Sequence, residues 1–183
     1  AGYPIKTRND YAVFYPGSLR SGQTRKLFLT LQVPTDTKKT FEIGKIKVRY
    51  LYNNQTYETT LDKSFNIACV NNKKRVFTSI NKTNWSEQVI NEDFNRLKQE
   101  VASDIKGGEK EQALNRIEEY YGKHEEVNSV MRSEEIAENL DKDLNDLRTL
   151  VQDTFKGDSA AVLQKQKNNA KALQYEGYSG RRK

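Results

Sequence analysis

The stretch FEIGKIKVRYLYNNQTYETTL, residues 41–61, decides how the first half of the chain folds. Apolar and charged residues alternate along it with a period of two, which is typical of a strand with one buried face. The polar turn NNQ, residues 53–55, tolerates the left-handed backbone that a tight hairpin requires. The stretch therefore predicts two antiparallel strands whose inward face carries Ile46, Val48, Tyr50 and Tyr52.

Similar short patterns occur on both sides of this hairpin. LFLTLQV, residues 27–33, alternates apolar with polar residues, although Phe28 interrupts the polar face. SFNIACV (64–70) and RVFTSI (75–80) are also typical of strands. Four to six short strands joined by turns, with no helix between them, predict an antiparallel β-sandwich, or a partial one, over residues 1–80.

From residue 84 onward the apolar period becomes that of a helix. One stripe runs over residues 90–105 and ends at Gly107 and Gly108, a second and shorter one covers 113–121, and a third covers 136–155. Asp158 or Ser159 is predicted to cap a last helix that reaches about Tyr175, followed by a fraying basic tail. The predicted fold is therefore α+β, with a C-terminal bundle of helical hairpins over residues 81–183.

The net charge of the chain also changes sign near residue 80. The 183 residues carry a net charge of +6, but residues 1–80 hold 14 basic and 5 acidic residues, whereas residues 81–183 hold 17 and 20. No apolar run approaches the roughly 18 residues that a membrane-spanning helix needs. The chain opens with Ala1 and Gly2, and its one methionine is Met131. We therefore expect a processed product or a fragment of a longer protein.

The residues that enzymes and metal sites require are scarce. One Cys and one His exclude the usual zinc ligand sets, and the common nucleotide-binding and hydrolase motifs are absent. Cys69 is interpreted as a buried, inert thiol and His124 as an exposed histidine near a helix end. DKDLND, residues 141–146, imitates a calcium loop but lacks its glycine and is predicted to be helical. The sequence therefore predicts no enzyme, no catalytic residue, no cofactor and no metal site.

Two charged surfaces remain as candidate interaction sites. The outward face of the first predicted hairpin strand is cationic, and the outer face of the third helix is acidic. The two sets are Lys45, Lys47 and Arg49, and Glu134, Glu138 and Asp141. Opposite charges of this kind orient partners more than they tighten binding, whether the partner is another protein or the rest of the parent chain.

Nucleic acid is the alternative partner, because cations neutralise phosphates and tyrosines stack on bases. However, Tyr50 and Tyr52 alternate with the cations and therefore lie on the opposite face of the strand. Lysine and arginine on the wet face and edges of a sheet also have a structural role, since they prevent pairing with other chains. The pattern therefore disfavours nucleic acid.

The segment PGSLRSGQTRKLFLTLQVP, residues 16–34, resembles the region that follows the von Willebrand factor type A domain in bacterial proteins of the calcium-activated-chloride-channel-like and inter-alpha-trypsin-inhibitor-like group. The likeness continues through a strand pair, EKEQALNRIEEYY, NLDKDLNDLRTLV and the final YSGRRK. Its motif places are occupied by Gly17, Leu19, Gly22, Arg25, Val33 and Pro34.

This resemblance implies a β-sandwich and helical segment that accompany a metal-dependent adhesion domain in a larger bacterial protein, exported or on the cell surface. The D-x-S-x-S metal motif of that domain is absent, and the nearest string, DKSFN at residues 62–66, implies no metal role for Asp62 or Ser64. In such proteins strands from before the A domain usually complete the sandwich. An open sheet edge, and a homodimer formed through it, are therefore expected.

Overall fold

The computed structural model describes residues 4–9, 11–61 and 63–181. The fold mixes α and β structure, with about 55% helix, 15% strand and short antiparallel strand pairs. A β-sandwich is not confirmed. The residues divide into two compact units, which we call the hairpin unit (Leu29–Ser79) and the helical unit (Ala1–Phe28 with Ile80–Lys183). The predicted division into domains 1–80 and 81–183 stays a prediction.

The described strands form three antiparallel pairs of two strands each. In the helical unit, β1 (Lys6–Arg8) pairs with β2 (Tyr11–Val13). In the hairpin unit, β3 (Thr40–Glu42) pairs with β6 (Asn66–Ala68), and β4 (Ile46–Tyr52) pairs with β5 (Gln55–Leu61).

The predicted β4–β5 hairpin is confirmed. Asn53 and Asn54 form its turn, with φ angles of 47° and 59°. Two consecutive residues with positive φ match the twist of the flanking strands, and asparagine adopts this conformation more readily than most residues. Arg49 consequently lies opposite Glu58, and Tyr50 lies opposite Tyr57.

Two other predicted strands are wrong. Residues 27–33 lie outside the described strands, and Leu29 and Leu31 are exposed, because alternation alone does not supply the neighbouring backbone that a ladder requires. RVFTSI falls in a short helix, α1 (Lys73–Thr78). The Asn72 side chain caps this helix by accepting a hydrogen bond from the Arg75 backbone N–H at 3.0 Å.

The predicted helices of the second half are confirmed, with different lengths. The first is α2 (Lys82–Gln88), a first π turn (Val89–Asp93) and α3 (Phe94–Gly107), and it ends at Gly108 with a φ of 80°. The second, α4 (Lys110–Met131), continues well beyond residue 121. The third is α5 (Glu134–Glu138), a second π turn (Asn139–Asp143) and α6 (Leu144–Thr154).

The last helix, α7 (Ser159–Gly180), is capped as predicted by Asp158, whose side chain accepts a hydrogen bond from the Ala161 N–H at 2.8 Å. The predicted fraying is wrong, since the helix continues to Gly180. Arg181 is half-buried and donates a hydrogen bond to Glu92 at 2.9 Å, and this contact holds the end of α7. Arg182 and Lys183 lie outside the described residues.

The core of the helical unit lies between α3, α4, α6 and α7. The predicted apolar stripes supply most of it, and Ile90 and Phe155 at their ends are half-buried. Its fully buried apolar side chains are Val89, Val101, Ile105, Ala113, Ile117, Ile136, Leu144 and Val151.

Candidate functional site

The predicted cationic surface is partly neutralised. Lys47 and Arg49 lie on one face of β4, and both bind Glu58 of β5, at 2.8 Å and 3.1 Å. Hydrogen bonds from Lys47 and then Arg49 hold the pKa of the Glu58 carboxyl below its ordinary value. Lys45 is exposed just before the strand. Sequence analysis missed Glu58, which the hairpin register places directly opposite Arg49.

The opposite face of the same hairpin is apolar and exposed. Tyr50 and Tyr57 stack there, with ring centroids 5.3 Å apart. Each side chain of this face exposes between 39% and 63% of its surface, whereas an inward set was predicted. The prediction of which residues share the face is confirmed, and the prediction that the chain buries them is wrong. We call these residues the hairpin apolar face: Ile46, Val48, Tyr50, Tyr52, Tyr57 and Leu61.

The predicted acidic residues Glu134, Glu138 and Asp141 are exposed in the helical unit. Glu134 lies in the first turn of α5, where a negative charge favours the helix dipole. The structure places these three residues on α5 and the second π turn, and the three predicted cations in the hairpin unit. Their role as an interaction surface stays a prediction.

A buried polar cluster lies inside the helical unit, between α4 and the two π turns. The Tyr120 hydroxyl donates to the Asn139 side-chain oxygen at 2.9 Å, and the Asn139 amide donates to Asp143 at 3.0 Å. The His124 ring lies 4.3 Å from the Tyr120 ring, centroid to centroid, and its Nε2 is 3.6 Å from a carboxylate oxygen of Asp93.

His124 is therefore not the exposed helix-end histidine that the sequence predicted. It is 2% exposed and lies within α4. Burial, and then the charge of Lys123, lower its pKa to about 4, although Asp93 acts in the opposite direction. Burial also raises the pKa of Tyr120. Both side chains are thus neutral near pH 7.

The π turns explain why Asp93 and Asn139 belong to this cluster. Each inserts an extra residue into a helix and so redirects the side chains beside it, which is a frequent feature of functional sites. The apolar period does not reveal such an insertion. The spacing of Ala113, Ile117, Tyr120 and His124, at four, three and four, could have placed the histidine on the buried face of α4.

The remaining predictions concern metal and thiol chemistry. Asp141, Asp143 and Asn145 are helical, as predicted, and the described residues contain no group of three or more His, Cys, Asp or Glu side chains arranged to hold a metal ion. Asp62 lies outside the described residues. Cys69 is half-buried rather than buried, and its thiol donates to the Thr35 carbonyl at 3.8 Å.

None of the described helices is long and apolar enough to cross a membrane. Comparison of the chain with protein-family models, with curated proteins and with solved structures yields no match. The hairpin apolar face and the buried polar cluster are therefore interpreted from their own geometry.

Proposed function

We propose that this chain is a non-enzymatic protein interaction module that docks on its partner through the hairpin apolar face. One observation carries the proposal: six apolar or aromatic side chains lie together on one face of β4 and β5 and remain exposed. Three of them are tyrosines, which are enriched among the residues that dominate binding energy at protein interfaces. The face therefore has the composition of a docking surface.

The physical argument is that a two-stranded hairpin is only marginally stable in water. Packing its apolar face on a partner stabilises it by about 25 cal/mol for each Å² of apolar surface buried. Lys47, Arg49 and Glu58 occupy the other face and suit contact with water. The two faces thus assign one side of the hairpin to a partner and the other to solvent.

The partner that we propose is a β-sheet with an apolar inner face, so that hairpin and sheet together form the predicted sandwich. The resemblance of residues 16–34 supports a sheet contributed by a von Willebrand factor type A domain-containing protein, exported or surface-associated in a bacterium. In that arrangement the adhesion domain supplies any metal site, and this chain supplies the supporting module.

Nucleic acid is the weaker proposal. The stacked pair Tyr50 and Tyr57 lies on the face opposite Lys47 and Arg49, and both cations already bind Glu58. A single-strand binding surface needs its stacking rings and its phosphate-binding cations within reach of one strand.

The test uses two adjacent residues on opposite faces. A photo-crosslinking amino acid at position 52 should capture one reproducible protein in the producing cells, whereas the same probe at position 51 should not. The captured protein is then purified and titrated with full-length variants. Tyr50→Asp should raise Kd at least tenfold, because it places a charge inside the apolar contact.

Leu51→Asp is the matched control, since Leu51 is adjacent and exposed but lies on the cationic face. It should leave Kd within about twofold. Equal losses for the two variants would reject the hairpin apolar face as the docking surface. Tight binding of a 20-nucleotide single strand that weakens steeply with salt would favour the nucleic-acid alternative instead.

A further inference from the structure

A buried histidine in the helical unit has no function in the proposed docking. His124 is 2% exposed, and among the described residues neither of its ring nitrogens has a hydrogen-bond partner. Buried polar atoms without a partner are uncommon in folded proteins, and each has an energetic cost. The buried ring therefore has no hydrogen bond that would offset the cost of a positive charge on it.

Side chains of α2, α4 and the first π turn lie close to the ring. Trp85 of α2 packs against it, with ring centroids 6.4 Å apart, and Tyr120 of α4 packs against another side. Asp93 of the first π turn favours a charged ring, whereas Lys123 of α4 and Arg96 of α3 oppose it. The Tyr120 hydroxyl in turn bonds Asn139 of the second π turn, whose amide donates to Asp143.

Two cationic side chains already bind the Asp93 carboxylate. Its carboxylate accepts a hydrogen bond from Arg96 at 3.1 Å and another from Lys123 at 3.4 Å. A protonated His124 would have to compete with both cations for this carboxylate. The arrangement thus offers the imidazolium ion no carboxylate of its own and two nearby positive charges.

We propose that His124 is an acid-responsive switch, in which uptake of one proton by the ring separates α4 from the two π turns and opens the helical unit. Burial is the main reason why the closed state resists this proton, and like charge on Lys123 adds to it. Opening the unit returns the ring to water, where it takes the proton readily.

The direction of the pH dependence follows from the lowered pKa, which is about 4 in the closed state and 6.5 in the open one. The neutral His124 ring therefore leaves the closed state at its full stability above pH 6.5. This stability falls as the pH drops toward 4, because the open state then binds a proton that the closed state does not. At pH 5 this linkage favours opening by about 30-fold relative to neutral pH.

The sequence supplies two native reporters, since the chain has one histidine and one tryptophan. A pH titration of the full chain, followed by the imidazole carbon resonances, should give a pKa below about 5 while the chain is closed. Trp85 emission should shift to the red between pH 6 and pH 4 as the unit opens. A histidine pKa at or above 6.5 in the folded chain would overturn the proposal.

His124→Gln separates this group from the other acids that titrate in the same range. In urea unfolding at pH 7.5 and pH 5, the wild-type unfolding constant should rise about 30-fold more than that of the variant. Equal pH responses in the two proteins would reject the switch. If the variant does not fold, the wild-type titration decides alone, because it needs no substitution.

Discussion

The β4–β5 hairpin and the helices of the core both place apolar residues on one face, yet they differ in whether that face is buried. In the helical unit Val101, Ile117 and Leu144 are completely buried. In the hairpin, Val48 and Tyr50 each expose about half of their surface. An amphipathic period thus tells which side chains lie together, but the burial of those side chains depends on what other elements are available.

The physical reason lies in what each element needs from its neighbours. A helix satisfies its backbone hydrogen bonds internally, so its apolar stripe needs only another stripe, and α3, α4, α6 and α7 supply one another. A sheet face needs a second layer of comparable width. The hairpin unit, as far as the structure describes it, contains only two-stranded pairs.

The largest expected loss of stability comes from replacing a core leucine with alanine, and the same replacement in the hairpin is its counterpart. Leu144→Ala removes a side chain that is 0% exposed and should lower the free energy of unfolding by about 2–5 kcal/mol. Leu61→Ala removes one in the hairpin apolar face that is 52% exposed, and should change it by less than about 0.5 kcal/mol. Urea denaturation measures both. Similar losses would show that the hairpin apolar face is packed in solution, and the two regions would then not differ in burial.

A second pair of substitutions tests how closely two helices of the helical unit pack. A Cβ at Gly177 of α7 would lie 2.5 Å from the carbonyl oxygen of Asn95 and 2.7 Å from a side-chain carbon of Gln99. Gly177→Ala should therefore cost about 1–3 kcal/mol of stability, because the backbone carbonyl cannot move aside easily. Thermal unfolding of the full chain measures the loss.

Gly122→Ala is the matched control for this close approach. A Cβ at this position of α4 would meet nothing within 4 Å. Alanine should therefore stabilise the helix by about 0.5–1 kcal/mol, since glycine loses more backbone entropy on folding. Stabilisation by both substitutions would mean that the close approach of α7 to the Asn95 carbonyl is absent in solution.

The smallest expected effect concerns the charged face of the hairpin. Lys47→Met should bring the pKa of Glu58 back toward its ordinary value more than Arg49→Met does, because the Lys47 hydrogen bond is the largest cause of the lowering. The carboxyl resonance of Glu58 in a pH titration reports both. Since the pKa is lowered, this interaction supports the folded hairpin above the unfolded pKa and weakens as the pH falls. An ordinary pKa in the wild type would mean that the hairpin does not form in water.

The comparison also explains which parts of the fold are predictable. The stripes at residues 90–105 and 136–155 predict helices, because a period of 3.6 repeats several times and glycine marks the ends. The prediction fails at residues 27–33, where a short alternation has no partner strand, and at residues 75–80, where the Asn72 cap favours a helix. An apolar pattern thus predicts secondary structure well where it repeats over several turns. It predicts poorly where one neighbouring residue or strand determines the structure.

The candidate sites divide in the same way. The alternation of residues in the sequence is enough to place Lys47 and Arg49 on one face of β4 and Val48 and Tyr50 on the other, since side chains alternate along any strand. The exposure of the apolar face is visible only in the folded chain, and so is the burial of His124 beside Trp85 of α2, Tyr120 of α4 and Asp93 of the first π turn. Both outcomes depend on contacts between residues far apart in the chain, whereas a period records only the contacts that a segment is able to make.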